Sequence, residues 1–161
     1  KFFIYGSKPM RERGFTILEL IVVFAIIAIL STVGIAAFVS YGRTQALQTS
    51  VSEVSVLLNL AKSRSLSQIK PSVCSSQILN GYQVVISLPD KYQMDVVCSG
   101  FPYKIQGKTL PTNITFDSLK TTSLSFFFPV LVNGVQGAGT VVLTGYGQQK
   151  SITVDSIGVI K

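Results

Sequence analysis

Residues 15–38 read FTILELIVVFAIIAILSTVGIAAF, a run of twenty-four in which Glu19 carries the only charge. As an α-helix it would be roughly 36 Å long, against a bilayer hydrocarbon core of about 30 Å. A helix bound for the core of a globular domain keeps a polar stripe at helical spacing, and residues 20–30 have none. A secretory signal peptide has a shorter apolar stretch followed by a small-residue cleavage site. This run is too long, and no such site follows it. The pattern predicts a membrane-spanning helix over 15–38. Lys8, Arg11 and Arg13 precede it and only Arg43 stands just beyond it, which places the N-terminal side in the cytoplasm and the rest of the chain outside.

The whole chain has 161 residues, room for one globular domain and one extended element. Charged residues make up 13%, about half the usual share of roughly 25%. Histidine and tryptophan are both absent, which removes the commonest metal ligand and the commonest general base. The formal charge is +7; Lys1, Lys8, Arg11 and Arg13 concentrate part of it ahead of the apolar run. What remains on the head is ordinary surface charge and carries no nucleic-acid signal.

Arg13-Gly14-Phe15-Thr16-Ile17-Leu18-Glu19 resembles the leader-peptidase site of type IV pilins and type II secretion pseudopilins. In that family an inner-membrane aspartyl peptidase cuts after the glycine and methylates the new N-terminal amine. The resemblance implies cleavage between Gly14 and Phe15, N-methylation of Phe15, and a prepilin peptidase and other pilin or pseudopilin subunits as partners. Glu19 also has a physical reading, because an ionisable group in a membrane helix marks a functional site by default. Its natural partner is the amine exposed at Phe15, in the same subunit or a neighbour, which would set the register of assembly. Major pilins commonly carry a proline near the positions of Ala36 and Ala37, and none is present here.

Beyond Phe38 the pattern turns amphipathic, with Leu47, Val51, Val54, Leu58 and Ala61 at three- and four-residue steps. The helix is expected to continue and to end near Ile69, ahead of Pro71. Residues 57–65 are similar to the equivalent helix of GspH/FimT-type minor pseudopilins. Strands are expected over 82–88, 92–98, 103–106, 113–116, 123–128, 140–144, 151–154 and 158–160, with a hairpin turn at Pro89-Asp90-Lys91. Phe126-Phe127-Phe128 reads as a central strand buried on both sides. The later segments also look like the closing strands of a minor-pseudopilin head. The expected fold class is α+β: a long N-terminal helix packed on an antiparallel β-sheet or sandwich. The expected organisation is a cytoplasmic leader (1–14), the membrane helix (15–38), an amphipathic helix (39–70) and an extracytoplasmic β-rich head (71–161).

Cys74 and Cys98 are the only cysteines, and an even pair in an oxidising compartment favours a disulfide. Asp90, Asp95, Asp117 and Asp155 are scattered, without the ligand density calcium needs, so no metal and no cofactor are expected. No catalytic dyad, Walker-type loop or Rossmann glycine pattern occurs, and neither an enzyme nor a small-molecule substrate is expected. The reading is a structural subunit of a type IV pilus-like or type II secretion filament, anchored in the inner membrane before assembly. A competing reading is a DNA-binding tip pilin. Some FimT-group relatives bind DNA through a C-terminal Gly-Arg-x-Arg motif, but this chain ends Asp155-Ser156-Ile157-Gly158-Val159-Ile160-Lys161. It has the glycine and neither arginine, so nucleic acid is not an expected partner.

Overall fold

In the computed structural model, residues 14–161 are described, apart from the side chains at 32–34 and 36; of the expected leader, 1–14, all but Gly14 lies outside the described residues. One helix, α1 (Ile17–Leu66), precedes a 3₁₀ turn (Ser72–Cys74) and seven strands among the described residues. Two units divide at Ser40–Tyr41. In the first, every described side chain is exposed, including Phe15, Ile21, Phe24, Ile29 and Phe38. Among the described residues no helix is long and apolar enough to cross a membrane. The apolar stretch with every side chain described, 17–31, is shorter than the roughly 20 residues a span requires.

The second unit uses the polar half of α1 as one wall of its core. Leu47, Val54, Leu57, Leu58 and Ala61 are buried at helical spacing, and Glu53 and Asn59 face outward. The helix stops at Leu66, slightly before the expected Ile69. Gln68 adopts a left-handed φ of 51°, and its N–H donates to the Ser65 carbonyl at 3.2 Å while that of Ile69 donates to Arg64 at 3.1 Å. This paired closure is a Schellman motif, with glutamine where glycine is usual.

Strands β1 (Leu79–Ser87), β2 (Lys91–Cys98), β3 (Phe101–Thr109) and β5 (Ser125–Pro129) form one antiparallel sheet in the order β3-β2-β1-β5. Strands β4 (Ile114–Phe116), β6 (Gly139–Gly145) and β7 (Gln148–Val154) form a second, ordered β4-β6-β7. Inward residues of both sheets join the helix stripe in one core, among them Tyr82, Val84, Met94, Phe126, Phe128, Val141, Leu143 and Ile152. The α+β class is therefore as expected. Ser65 Oγ donates to the Phe128 carbonyl at 2.8 Å, and Lys62 Nζ donates to the Gly158 carbonyl at 2.8 Å. These bonds tie the helix end to β5 and to the C-terminal segment.

Three strand expectations need correction. Phe126-Phe127-Phe128 lies not in a central strand but in β5, at an end of its sheet with β1 as its strand neighbour. Phe126 and Phe128 are buried, whereas Phe127 is half-buried on the opposite face. There its ring covers Gly81, where an added Cβ would collide with the Phe128 carbonyl. The first hairpin turns one residue earlier than expected, Ser87 pairing with Lys91 around Leu88-Pro89-Asp90. Residues 158–160 form no strand; a single bridge joins Ile160 to Val154.

Cys74 and Cys98 are joined in a disulfide with Cα atoms 5.8 Å apart, and both are fully buried. The bond fastens the segment after α1 to the end of β2, closing a loop of about 25 residues worth roughly 3.5 kcal/mol in the chain-entropy account. Denaturing the purified protein without reductant should expose no reactive thiol, and reduction should expose two and lower the melting temperature. Full alkylation of Cys74 and Cys98 in unreduced, denatured protein would contradict the bond.

Candidate functional site: the helix start and the surface of the head

Gly14, Phe15 and Thr16 precede the first turn of α1 in non-helical backbone. Thr16 is the N-cap, its Oγ1 accepting the Glu19 N–H at 3.2 Å, while the Leu20 N–H donates to the Thr16 carbonyl at 3.2 Å. Thr16-Ile17-Leu18-Glu19 has capping-box spacing, and a carboxylate in the first turn is favoured by the helix dipole. Sequence reasoning passed over Thr16, although the Thr-x-x-Glu spacing signals it. Phe15, Glu19, Leu20 and Val23 line one open hollow of about 210 Å³, so the two residues singled out from sequence are neighbours on this surface. Phe15 is 81% exposed.

Gly14 is informative for what it lacks. A Cβ built there meets no atom within 4 Å, and its φ is outside the left-handed range. Among the described residues nothing requires glycine at this position.

In the head, most carboxylates are engaged in local structure. Asp95 is buried and accepts both hydrogen bonds of the Gln93 amide, at 3.0 and 3.1 Å. Asp117 accepts the Leu119 and Lys120 N–H groups, and Asp155 accepts that of Val159. Among the described residues no cluster of three or more His, Cys, Asp or Glu side chains is placed to hold a metal ion. Glu53, on α1, accepts from Lys108 Nζ and from the Tyr92 hydroxyl, both at 3.1 Å. The Lys108 hydrogen bond, then that of Tyr92, holds the Glu53 carboxyl below its ordinary value of 4.5. Burial, reinforced by the bond to Glu53, pushes the Tyr92 hydroxyl well above its ordinary range. This arrangement clamps β2 and β3 to the helix and leaves Glu53 no proton to exchange near neutrality.

Residues 9–35 match the family model described as prokaryotic N-terminal methylation motif. The match supports a type IV pilin-like protein that is processed by a prepilin peptidase and assembles with other pilin subunits. No curated protein and no solved structure matches the chain. The motif family is structural, in keeping with carboxylates that serve the fold. The matched segment contains Gly14, Phe15 and Glu19 and stops short of the head, so it bears on processing and anchoring rather than on what the head does.

Glu53 supplies a pH test. Its folded pKa lies below its unfolded one, so its contribution is present above the unfolded value and is lost as pH falls through the folded one. Lys108 and Glu53 are 43% and 46% exposed, which limits the pair to about 1 kcal/mol or less. Glu53→Gln should melt slightly lower than the parent at pH 7, with the gap closing below about pH 4. An undiminished gap in acid would show that packing rather than charge accounts for it.

Proposed function

We propose that this chain is a minor pilin or pseudopilin of the GspH/FimT type. It would be cut after Gly14, N-methylated at Phe15, held in the inner membrane by residues 15–38 and then drawn into a helical filament. One observation carries the reading: an apolar helix whose described side chains are all exposed begins directly after a cleavage motif whose glycine no described atom crowds. An apolar surface of this extent is stable only in lipid or against other subunits. Residues 15–38 supply, in sequence, the length of a span. Residues 39–70 then join the membrane segment to the extracytoplasmic head of 71–161. The C-terminal segment, with Lys161 and no arginine, adds no support for DNA binding.

In this proposal Glu19 works at the two stages differently. Before assembly it opens the helix beside Thr16. After cleavage its carboxylate meets a newly charged Phe15 amine, of its own chain or of the subunit below, in a low-dielectric filament core where an unpaired charge is costly. The subunit performs no chemistry; it is positioned by helix packing and presents the head.

Co-expression with a matching prepilin peptidase should remove residues 1–14 and leave N-methylated Phe15, read by intact mass. Gly14→Val should abolish processing without altering the head, since a Cβ at this position meets no described atom within 4 Å. An unprocessed parent chain beside an active peptidase would defeat the proposal.

Glu19→Gln separates the charge from the cap, because glutamine also serves at the third position of a capping box. The variant should be processed and accumulate in the membrane normally, yet be missing from sheared filaments. Its recovery in filaments at parental levels would remove the assembly role.

A further inference from the structure

The β6–β7 hairpin closes through Tyr146-Gly147, both at left-handed φ (54° and 76°), between the paired residues Gly145 and Gln148. These angles suit a type I′ turn. The tip lies on the start of the head's own helix segment. Arg43 Cζ sits 5.7 Å from the centroid of the Tyr146 ring. Gln148 Nε2 donates to Thr44 Oγ1 at 3.2 Å, and the Tyr146 hydroxyl donates to the Thr112 carbonyl at 3.3 Å. Tyr41 is 67% exposed and Tyr146 40%. Lys150, also exposed, lies on the same strand face as Gln148 by the two-residue period of β7.

Arg43 and Tyr146 are thus in contact, with Tyr41 two residues before Arg43 in the chain and Lys150 two residues beyond Gln148. Arg43 follows Phe38, the end of the apolar run, by five residues in the sequence. Among the described residues no carboxylate is within ion-pair distance of Arg43 or Lys150. A guanidinium stacked on an aromatic ring keeps its in-plane N–H fork free for a planar or tetrahedral oxyanion. Tyrosine rings beside cations, just past an apolar helix, are the composition that settles at a membrane–water interface.

We infer that Tyr41, Arg43, Tyr146 and Lys150 form a lipid-contact collar that seats the head on the phosphates of anionic phospholipids while the subunit awaits assembly. The inference rests on the reading that residues 15–38 cross the bilayer. Arg43 takes a phosphodiester through its free edge, Tyr146 holds the guanidinium at that level, and the Gln148–Thr44 bond keeps the hairpin tip against the helix. The partner is the lipid surface itself, not a protein.

The chain contains no tryptophan, so one introduced indole reports alone. Full-length Phe24→Trp, Tyr146→Trp and Phe101→Trp proteins would be reconstituted into vesicles carrying lipid brominated midway along the acyl chain for Phe24→Trp and next to the headgroup for the other two. The vesicles would be phosphatidylcholine alone or mixed with phosphatidylglycerol. Phe24 lies in the apolar helix, and Phe101 follows the Cys74–Cys98 bridge near the other end of the head's helix segment, roughly 35 Å along it from Arg43. The expected result is quenching of Phe24→Trp in both vesicles and none of Phe101→Trp. Tyr146→Trp should be quenched in the phosphatidylglycerol vesicles and lose that quenching when Arg43→Gln and Lys150→Gln are added. Emission of Tyr146→Trp matching that of Phe101→Trp, with Phe24→Trp quenched, would overturn the collar alone. Quenching of Tyr146→Trp that ignores phosphatidylglycerol and both glutamine substitutions would overturn anion recognition and so the proposal. An unquenched Phe24→Trp would overturn the membrane reading and the collar with it.

Discussion

The inward residues of both sheets of the head share one core with the apolar stripe of α1 that runs from Leu47 to Ala61. A sheet with one apolar face must bury it against another element. Here a single helical stripe serves a four-stranded and a three-stranded sheet together. Val54, Leu58 and Ala61 are wholly inaccessible to solvent, and polar groups beside them add direction. Glu53 fixes β2 and β3 through Tyr92 and Lys108, Ser65 fixes β5, and Lys62 fixes the C-terminal segment. A chain that lost this stripe would keep its hairpins and lose its core.

The same helix obeys opposite rules along its length. After Tyr41 its side chains sort into a buried face and a wet face; before Ser40 the described side chains are mostly apolar and all exposed. The change of pattern at Phe38 was legible in the sequence because helical periodicity depends only on local residue order. The buried stripe was legible for the same reason, and so was a cysteine pair in an even count. The capping role of Thr16 was equally available, since Thr-x-x-Glu is a short-range signal, but the carboxylate drew attention away from the hydroxyl three residues before it.

Long-range facts were not legible. Three consecutive phenylalanines look the same whether a strand is central or at an edge. Only the fold places Gly81 beneath Phe127, giving an outward-facing ring something to cover. Likewise, 158–160 has strand-like residues, but Gly158 takes a left-handed φ of 73° and the Asp155 side chain closes a turn there, leaving one bridge instead of a ladder. The Arg43–Tyr146 contact joins residues more than a hundred positions apart, and no periodicity announces it.

That separation bears on the order in which the head can take shape. The β1–β2–β3 meander and the β6–β7 hairpin are built from near neighbours in the chain and can form early. By contrast, β5 reaches back to β1, and Gln148 reaches back to Thr44. Such distant pairings must await closure of long loops. Since a chain is made N-terminus first, Thr44 is made long before Gln148. The core around the helix stripe would stay incomplete until Val141, Leu143 and Ile152 of the hairpin join it. A subunit held at a membrane during that interval would have a surface on which to wait.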